Sequence, residues 1–230
     1  MVLSEKVTML GHCISLISNC LYGEGGDWNT PVPHIPASQR IPEVILDTTT
    51  MGHEAVVVKN GLRLCGTGSA RGSAPILQDK AYWEVKIQQG GLWSVGLCTP
   101  AADLNKDLGL DQTSWAVTSG GQVRTRGNQE YDITSTNLEE GDVIGFSYDH
   151  VELNIFCNGK NIDTPVLGIK GTVFPVFFGE QTHNTLGRTY QPKYILFSVD
   201  EGAILDCIFE NFLHQPPNGF ERIMIEKALL

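Results

Sequence analysis

The chain has 230 residues, 41% of them hydrophobic, which is enough for one sizeable core without disulfide or metal staples. Its 16 basic and 26 acidic residues give a formal charge of −10, which argues against binding a nucleic-acid backbone. Charged residues make up 18%, below the usual share of about 25%, and there are 25 glycines, a mix that suits short strands and tight turns rather than long solvated helices.

Residues 1–22 carry Lys6 and then Met9, Leu10, Ile14, Leu16, Ile17 and Leu21, a faint imitation of a signal peptide that His12, Ser15, Ser18 and Asn19 interrupt. No run approaches the ~20 apolar residues that span a membrane. Six cysteines (Cys13, Cys20, Cys65, Cys98, Cys157, Cys207) show no C-x-x-C spacing and read as mostly buried thiols of a soluble, cytoplasmic protein. Cys13 and Cys20 are candidate acylation sites, although an N-terminal helix packed on the domain is the favoured reading of that stretch. Four prolines (Pro31, Pro33, Pro36, Pro42) and a Gly-rich cluster then mark an irregular lead-in, so 1–43 is set apart from the rest of the chain.

Val44-Ile45-Leu46 looks strand-like. Val56-Val57-Val58-Lys59 and Leu62-Arg63-Leu64-Cys65 flank Asn60-Gly61, which predicts a hairpin with a type I′ turn. Tyr82 to Ile87 alternates, with Trp83, Val85 and Ile87 inward and Glu84 and Lys86 outward. Leu92 to Leu97 repeats the pattern and is expected to pair with it as a second hairpin. Ser114 to Val117, Gln122-Val123, Val143 to Phe146 and Glu152 to Cys157 continue the series, the last meeting a second Asn-Gly at Asn158-Gly159. Val173 to Phe178 reads as a strand covered on both faces, with Pro175 marking an edge or bulge. Near the C-terminus, Phe220, Ile223, Met224 and Lys227-Ala228 fall near helical spacing. The fold class expected is all-β, a two-sheet antiparallel β-sandwich with short helical segments at the termini.

Taken in order, Tyr82-Trp83-Glu84-Val85, Gly91 to Leu97, Ser114-Trp115, Gly141 to Gly145, Leu153 to Lys160 and Val173-Phe174-Pro175-Val176 resemble the ordered signature of the SPRY domain family. The resemblance spans 44–212 and leaves 213–230 as a C-terminal extension packing on the sandwich. It implies a bent, concanavalin-like jelly-roll sandwich of two antiparallel sheets that needs no cofactor and binds peptides or protein surfaces with loops at one end. The match breaks at about Gly179 and resumes at Val199-Asp200, so 179–198 is read as an insertion, either an extended loop or a translated unspliced intron.

Gly66-Thr67-Gly68-Ser69-Ala70-Arg71-Gly72 follows a strand, but Ser73-Ala74-Pro75 blocks the helix that a dinucleotide fingerprint requires. Gly66, Thr67, Gly68 and Arg71 are therefore expected on a flexible interaction loop with Arg71 at its tip. Arg124 and Arg126, with Asn128, form a local basic concentration able to hold a carboxylate-bearing peptide. Trp83 and Trp93 are expected in the core, and Trp115 on the rim of the binding end. The histidines lie at unrelated spacings, so no metal site is expected. The functional expectation is a non-enzymatic, monomeric adaptor that binds a protein or short peptide. The alternatives are a carbohydrate-binding or glycan-processing sandwich using Asp142, Asp149 and Glu152, and a membrane-tethered scaffold acylated at Cys13 and Cys20.

Overall fold

The computed structural model describes residues 43–125, 127, 129–133, 138–182 and 201–225. The chain divides into Met1–Arg40 and Ile41–Leu230, and every described residue belongs to the second unit. The expected N-terminal helix, Cys13 and Cys20 lie outside the described residues.

Fifteen strands are described: β1 Glu54–Val58, β2 Arg63–Arg71, β3 Ala81–Gln89, β4 Leu92–Cys98, β5 Ser114–Thr118, β6 Gln122–Thr125, β7 Gln129–Asp132, β8 Val143–Tyr148, β9 Glu152–Cys157, β10 Lys160–Asn161, β11 Val166–Leu167, β12 Phe174–Thr182, β13 Glu201–Gly202, β14 Ile204–Ile208 and β15 Glu221–Arg222. The hydrogen-bonded path runs β10-β9-β8-β3-β14-β2-β12-β4-β5-β6-β7. All pairs are antiparallel except β15 with β3. One half of this path supplies Trp83, Ile87, Ile144 and Phe146 to the core, the other Trp93, Val95, Trp115, Val117 and Phe177, all in a single buried cluster. The path therefore curls into a two-layered β-sandwich, the expected fold class.

β2 makes the corner. Its first residues, Arg63 and Leu64, pair with Asp206 and Leu205 of β14, whereas Gly68 to Arg71 pair with Gly179 to Val176 of β12. Between them Gly66 (φ 80°) and Gly68 (φ 128°) take backbone conformations that L side chains resist. At Gly66 a Cβ would also stand 2.3 Å from the Glu54 carbonyl oxygen. Glycines that resembled a loop in the sequence bend a strand from one layer to the other.

Other expectations also differ from the structure. β3 and β4 do not form a hairpin: β3 pairs with β8 and β14, β4 with β5 and β12, and the turn at Gly90-Gly91 carries the chain between layers. Matching alternation on consecutive strands reflects a shared core, which opposed layers provide as well as paired neighbours do. The Asn60-Gly61 turn is longer than type I′, because pairing ends at Val58 with Arg63 and Lys59, Asn60 and Gly61 all have positive φ. Asn158-Gly159 does make the two-residue turn, with φ of 48° and 77° between paired Cys157 and Lys160. Val44-Ile45-Leu46 contributes only an isolated bridge from Leu46 to Gly72.

The described C-terminal residues form no helix. Glu221–Arg222 instead lie parallel to Ala81 and Tyr82, along the part of β3 beyond its pairing with β14. Finally, β12 runs through the expected break at Gly179 to Thr182, and Thr182 pairs directly with Glu201. Thr182 and Glu201 are thus neighbours in the sheet, while 183–200 lie outside the described residues. Pro175 sits where the ladder with β2 ends: its carbonyl accepts from Gly72 N at 2.8 Å, and its missing N–H faces the same side.

Candidate interaction surface

Strand alternation places Leu97, Trp115, Val117 and Phe177 in the main core and turns Cys98, Ala116, Val176 and Phe178 to the opposite face. That outer face is covered by the β4–β5 connection, residues 99–113, which inserts Leu104 and Leu108 onto it. Both faces of β12 are buried from Pro175 to Phe178 as a result, the physical reason for the apolar run in its first half.

The register explains how the connection is held. Arg71, Val176, Gly96, Ala116 and Arg124 are successive partners across β2, β12, β4, β5 and β6. The two arginines therefore lie on one cross-strand row, about 19 Å apart at the usual ~4.8 Å strand spacing. The middle of the row admits only a glycine at 96, where a Cβ would stand 2.0 Å from the Trp115 carbonyl oxygen.

At one end, Arg124 is ion-paired to Asp107. The same carboxylate accepts from Ser94 Oγ at 2.6 Å and Leu108 N at 2.8 Å. Gly109 passes so close to Arg124 that a Cβ there would be 2.4 Å from the arginine Cβ, and its carbonyl accepts from Gly127 N at 3.0 Å. Asp111 closes the connection through Thr113 N (2.9 Å) and Ser114 Oγ (2.8 Å). Burial pushes the Asp111 carboxyl up, but hydrogen bonds, first that from Thr113 Oγ1 (2.6 Å) and then those from Thr113 N and Ser114, outweigh it and hold it below the ordinary value. At the other end, Arg71 lies over the Phe174 ring (4.8 Å to the centroid), 3.8 Å from Asp47 Oδ2 and 3.5 Å from the Pro100 carbonyl. Cys98 beneath the connection is pushed up to about 12 by burial.

The arrangement fixes a polar-braced shell from which Leu110 projects, 57% exposed. Of the residues singled out in the sequence, the structure brings Arg71 and Arg124 to this face. It corrects the setting of the others: Gly66, Thr67, Gly68 and Arg71 belong to strand β2 rather than a flexible loop, and Trp115 is 98% enclosed in the core. Trp115 points inward because its even-numbered neighbours Ser114 and Ala116 occupy the outer face. Arg126 and Asn128 lie outside the described residues. Asp107 and Ser94, which organise the surface, were not singled out: Ser94 shows only as an outward polar position within the hydrophobic strand β4, and Asp107 lies in the polar connection with no signal of its own.

The carboxylates considered for hydrolysis are each engaged in a local turn or strand interaction. Asp142 accepts from Glu139 N and Asn158 Nδ2, Asp149 from Val151 N and Glu152 N, and Glu152 from Asn154 Nδ2.

The described strands thus form a two-layer sandwich whose β4–β5 connection makes a braced outer surface. The chain belongs to the SPRY domain family, whose model matches residues 80–191, and SPRY domains are generally protein-interaction modules rather than catalysts. It is 40% identical over 208 residues to human SPRY domain-containing protein 7, covering 90% of this chain and 93% of that protein. The chicken protein of that name is 42% identical over 198 residues, covering 85% and 90% respectively. Among solved structures, the TRIM65 PSpry domain superposes with a TM-score of 0.51 at 12% identity, covering 73% of this chain and 92% of that one, a likeness of fold.

Proposed function

We propose that the chain is an adaptor that recognises a short peptide or protein surface through the outer shell formed by residues 99–113, with Leu110 as an apolar anchor and Arg71 and Arg124 bounding it. The observation that carries this reading is the Ser94–Asp107–Arg124 network, which braces the shell before any ligand arrives. A preformed surface leaves the ordering cost on the ligand's side. The reading keeps the protein in a reducing compartment, supported by the free thiols of Cys65, Cys98, Cys157 and Cys207.

The test is affinity purification from cytosolic extract with the intact chain and a Leu110→Asp variant of matched thermal melt. Loss of specific partners with the variant supports the shell as the recognition surface. Identical partner lists contradict it.

A further inference from the structure

Leu77 (51% exposed), Val151 (69%), Met224 (46%) and Ile225 (43%) come from three separate parts of the chain. Gln78 gathers them. Its Oε1 accepts from Met224 N at 2.8 Å, its Nε2 donates to the Arg222 and Lys80 carbonyls at 2.8 and 3.1 Å, and its own carbonyl lies 2.9 Å from His150 Nε2. Leu77 and Val151 are the chain neighbours of Gln78 and His150, and Ile225 follows Met224. The Asp149 carboxylate fixes the Val151 turn through two backbone N–H groups, and the Tyr148 ring lies 5.0 Å from that of His150. Single exposed apolar residues need no explanation, but the segments that carry these four are all tied to Gln78, which brings them to one part of the surface.

The charges around it are unequal. Asp79, Asp149, Glu152 and Glu221 stand on or beside the same segments, against Lys80 and Arg222. Arg222 is engaged by Glu210 at 3.0 Å and Glu43 at 3.7 Å, and Lys80 lies over the Phe220 ring at 5.3 Å. The surplus is negative, on a chain of net charge −10. Such a rim repels an anionic bilayer and favours Lys or Arg flanking an apolar stripe.

We propose that this patch is a second docking surface, which takes a basic amphipathic segment of a partner protein. Apolar side chains of that segment would cover Leu77, Val151, Met224 and Ile225, and its cations would face Asp79, Asp149, Glu152 and Glu221. The surface lies on other segments than the 99–113 shell, and two independent surfaces are what bridging two partners requires.

The test is a fluorescence-anisotropy titration of the full chain with a synthetic Leu/Lys amphipathic helix and its Leu/Glu counterpart, with NMR shifts to locate binding. The Lys peptide should bind at least about tenfold tighter than the Glu peptide. It should weaken with salt, perturb Gln78, His150 and Met224, and lose that preference in Leu77→Asp/Val151→Asp. An Asp79→Lys/Glu221→Lys variant, which leaves the apolar residues in place, should lose it too and guards against misfolding of the first. Leu110→Asp should leave it unchanged. Equal binding of the two peptides, shifts located elsewhere, retained preference in both variants, or binding of the patch to anionic phospholipid vesicles would overturn the proposal.

Discussion

At the scale of single residues, a carboxylate shut away from water must find donors, and Glu84 on β3 is completely buried. It accepts from Leu213 N at 2.6 Å, His214 N at 2.9 Å and Tyr82 Oη at 3.0 Å, with His214 Nδ1 at 3.3 Å. Burial and the adjacent carboxylate push the Tyr82 phenol up, so Tyr82 remains a protonated donor. Alternation puts Glu84 on the outer face correctly, but periodicity is silent about a later segment laid over that face. Removing the carboxylate in Glu84→Ala orphans three donors, and hydrogen bonds to charged groups are worth about 1.5–3 kcal/mol each, so a loss of about 3 kcal/mol or more is expected in urea unfolding. Proteolysis should then begin near Leu213.

Asp206 gives the pH dependence. Burial raises its carboxyl, but hydrogen bonds from Arg63 Nε (2.6 Å) and Lys59 Nζ (2.8 Å) dominate and hold it below the ordinary value. A folded-state value below the unfolded one stabilises above the unfolded value and loses that contribution as pH falls through the folded one. Melting temperatures should therefore drop below about pH 4. Asp206→Asn should lower the melt at pH 7 and shrink the difference between neutral and acid pH, and an unchanged acid limb would remove Asp206 from the explanation.

At the scale of elements, most strands were legible because alternation survives wherever one face meets the core, as in Tyr82 to Ile87 and Glu152 to Cys157. Pairing was less legible. The Gly90-Gly91 turn looks like a hairpin tip, and only the three-dimensional path shows it crossing between layers. The corner in β2 was misread for a related reason, since Gly66 and Gly68 serve a bend as readily as a loop. Adding a side chain at Gly66 meets both a positive φ and the Glu54 carbonyl. Gly66→Ala should lower stability by about 2 kcal/mol or more, whereas Gly90→Ala, with nothing within 4 Å of its Cβ, should change little in the same assay. Because Thr182 and Glu201 are direct partners, replacing 183–200 by Asn-Gly should leave a folded domain with a melting temperature near that of the full chain. A collapse of the melt would show that this segment belongs to the fold.

At the scale of the whole molecule, the family was legible because strand signatures recur in fixed order, each set by core packing. The proposed recognition surface was only half legible. Arg71 and Arg124 were visible as charges, but their common row depends on register across five strands, and Trp115 looked like a rim residue until its neighbours took the outer face. Asp107 could not be singled out from a polar connection, because its importance lies in meeting Ser94 and Arg124 in space. Removing its carboxylate in Asp107→Ala should cost about 1–3 kcal/mol and loosen the shell, read as faster amide hydrogen exchange at Leu108 and Gly109.

The central claim is that the 99–113 shell meets a protein partner. A photo-crosslinking amino acid placed at Leu110 in the full chain, with the same group at exposed Lys170 as reference, tests it in living cells. A discrete crosslinked protein from position 110 that is absent from position 170 is the predicted result. No crosslink from 110, or the same products from both positions, would contradict the account.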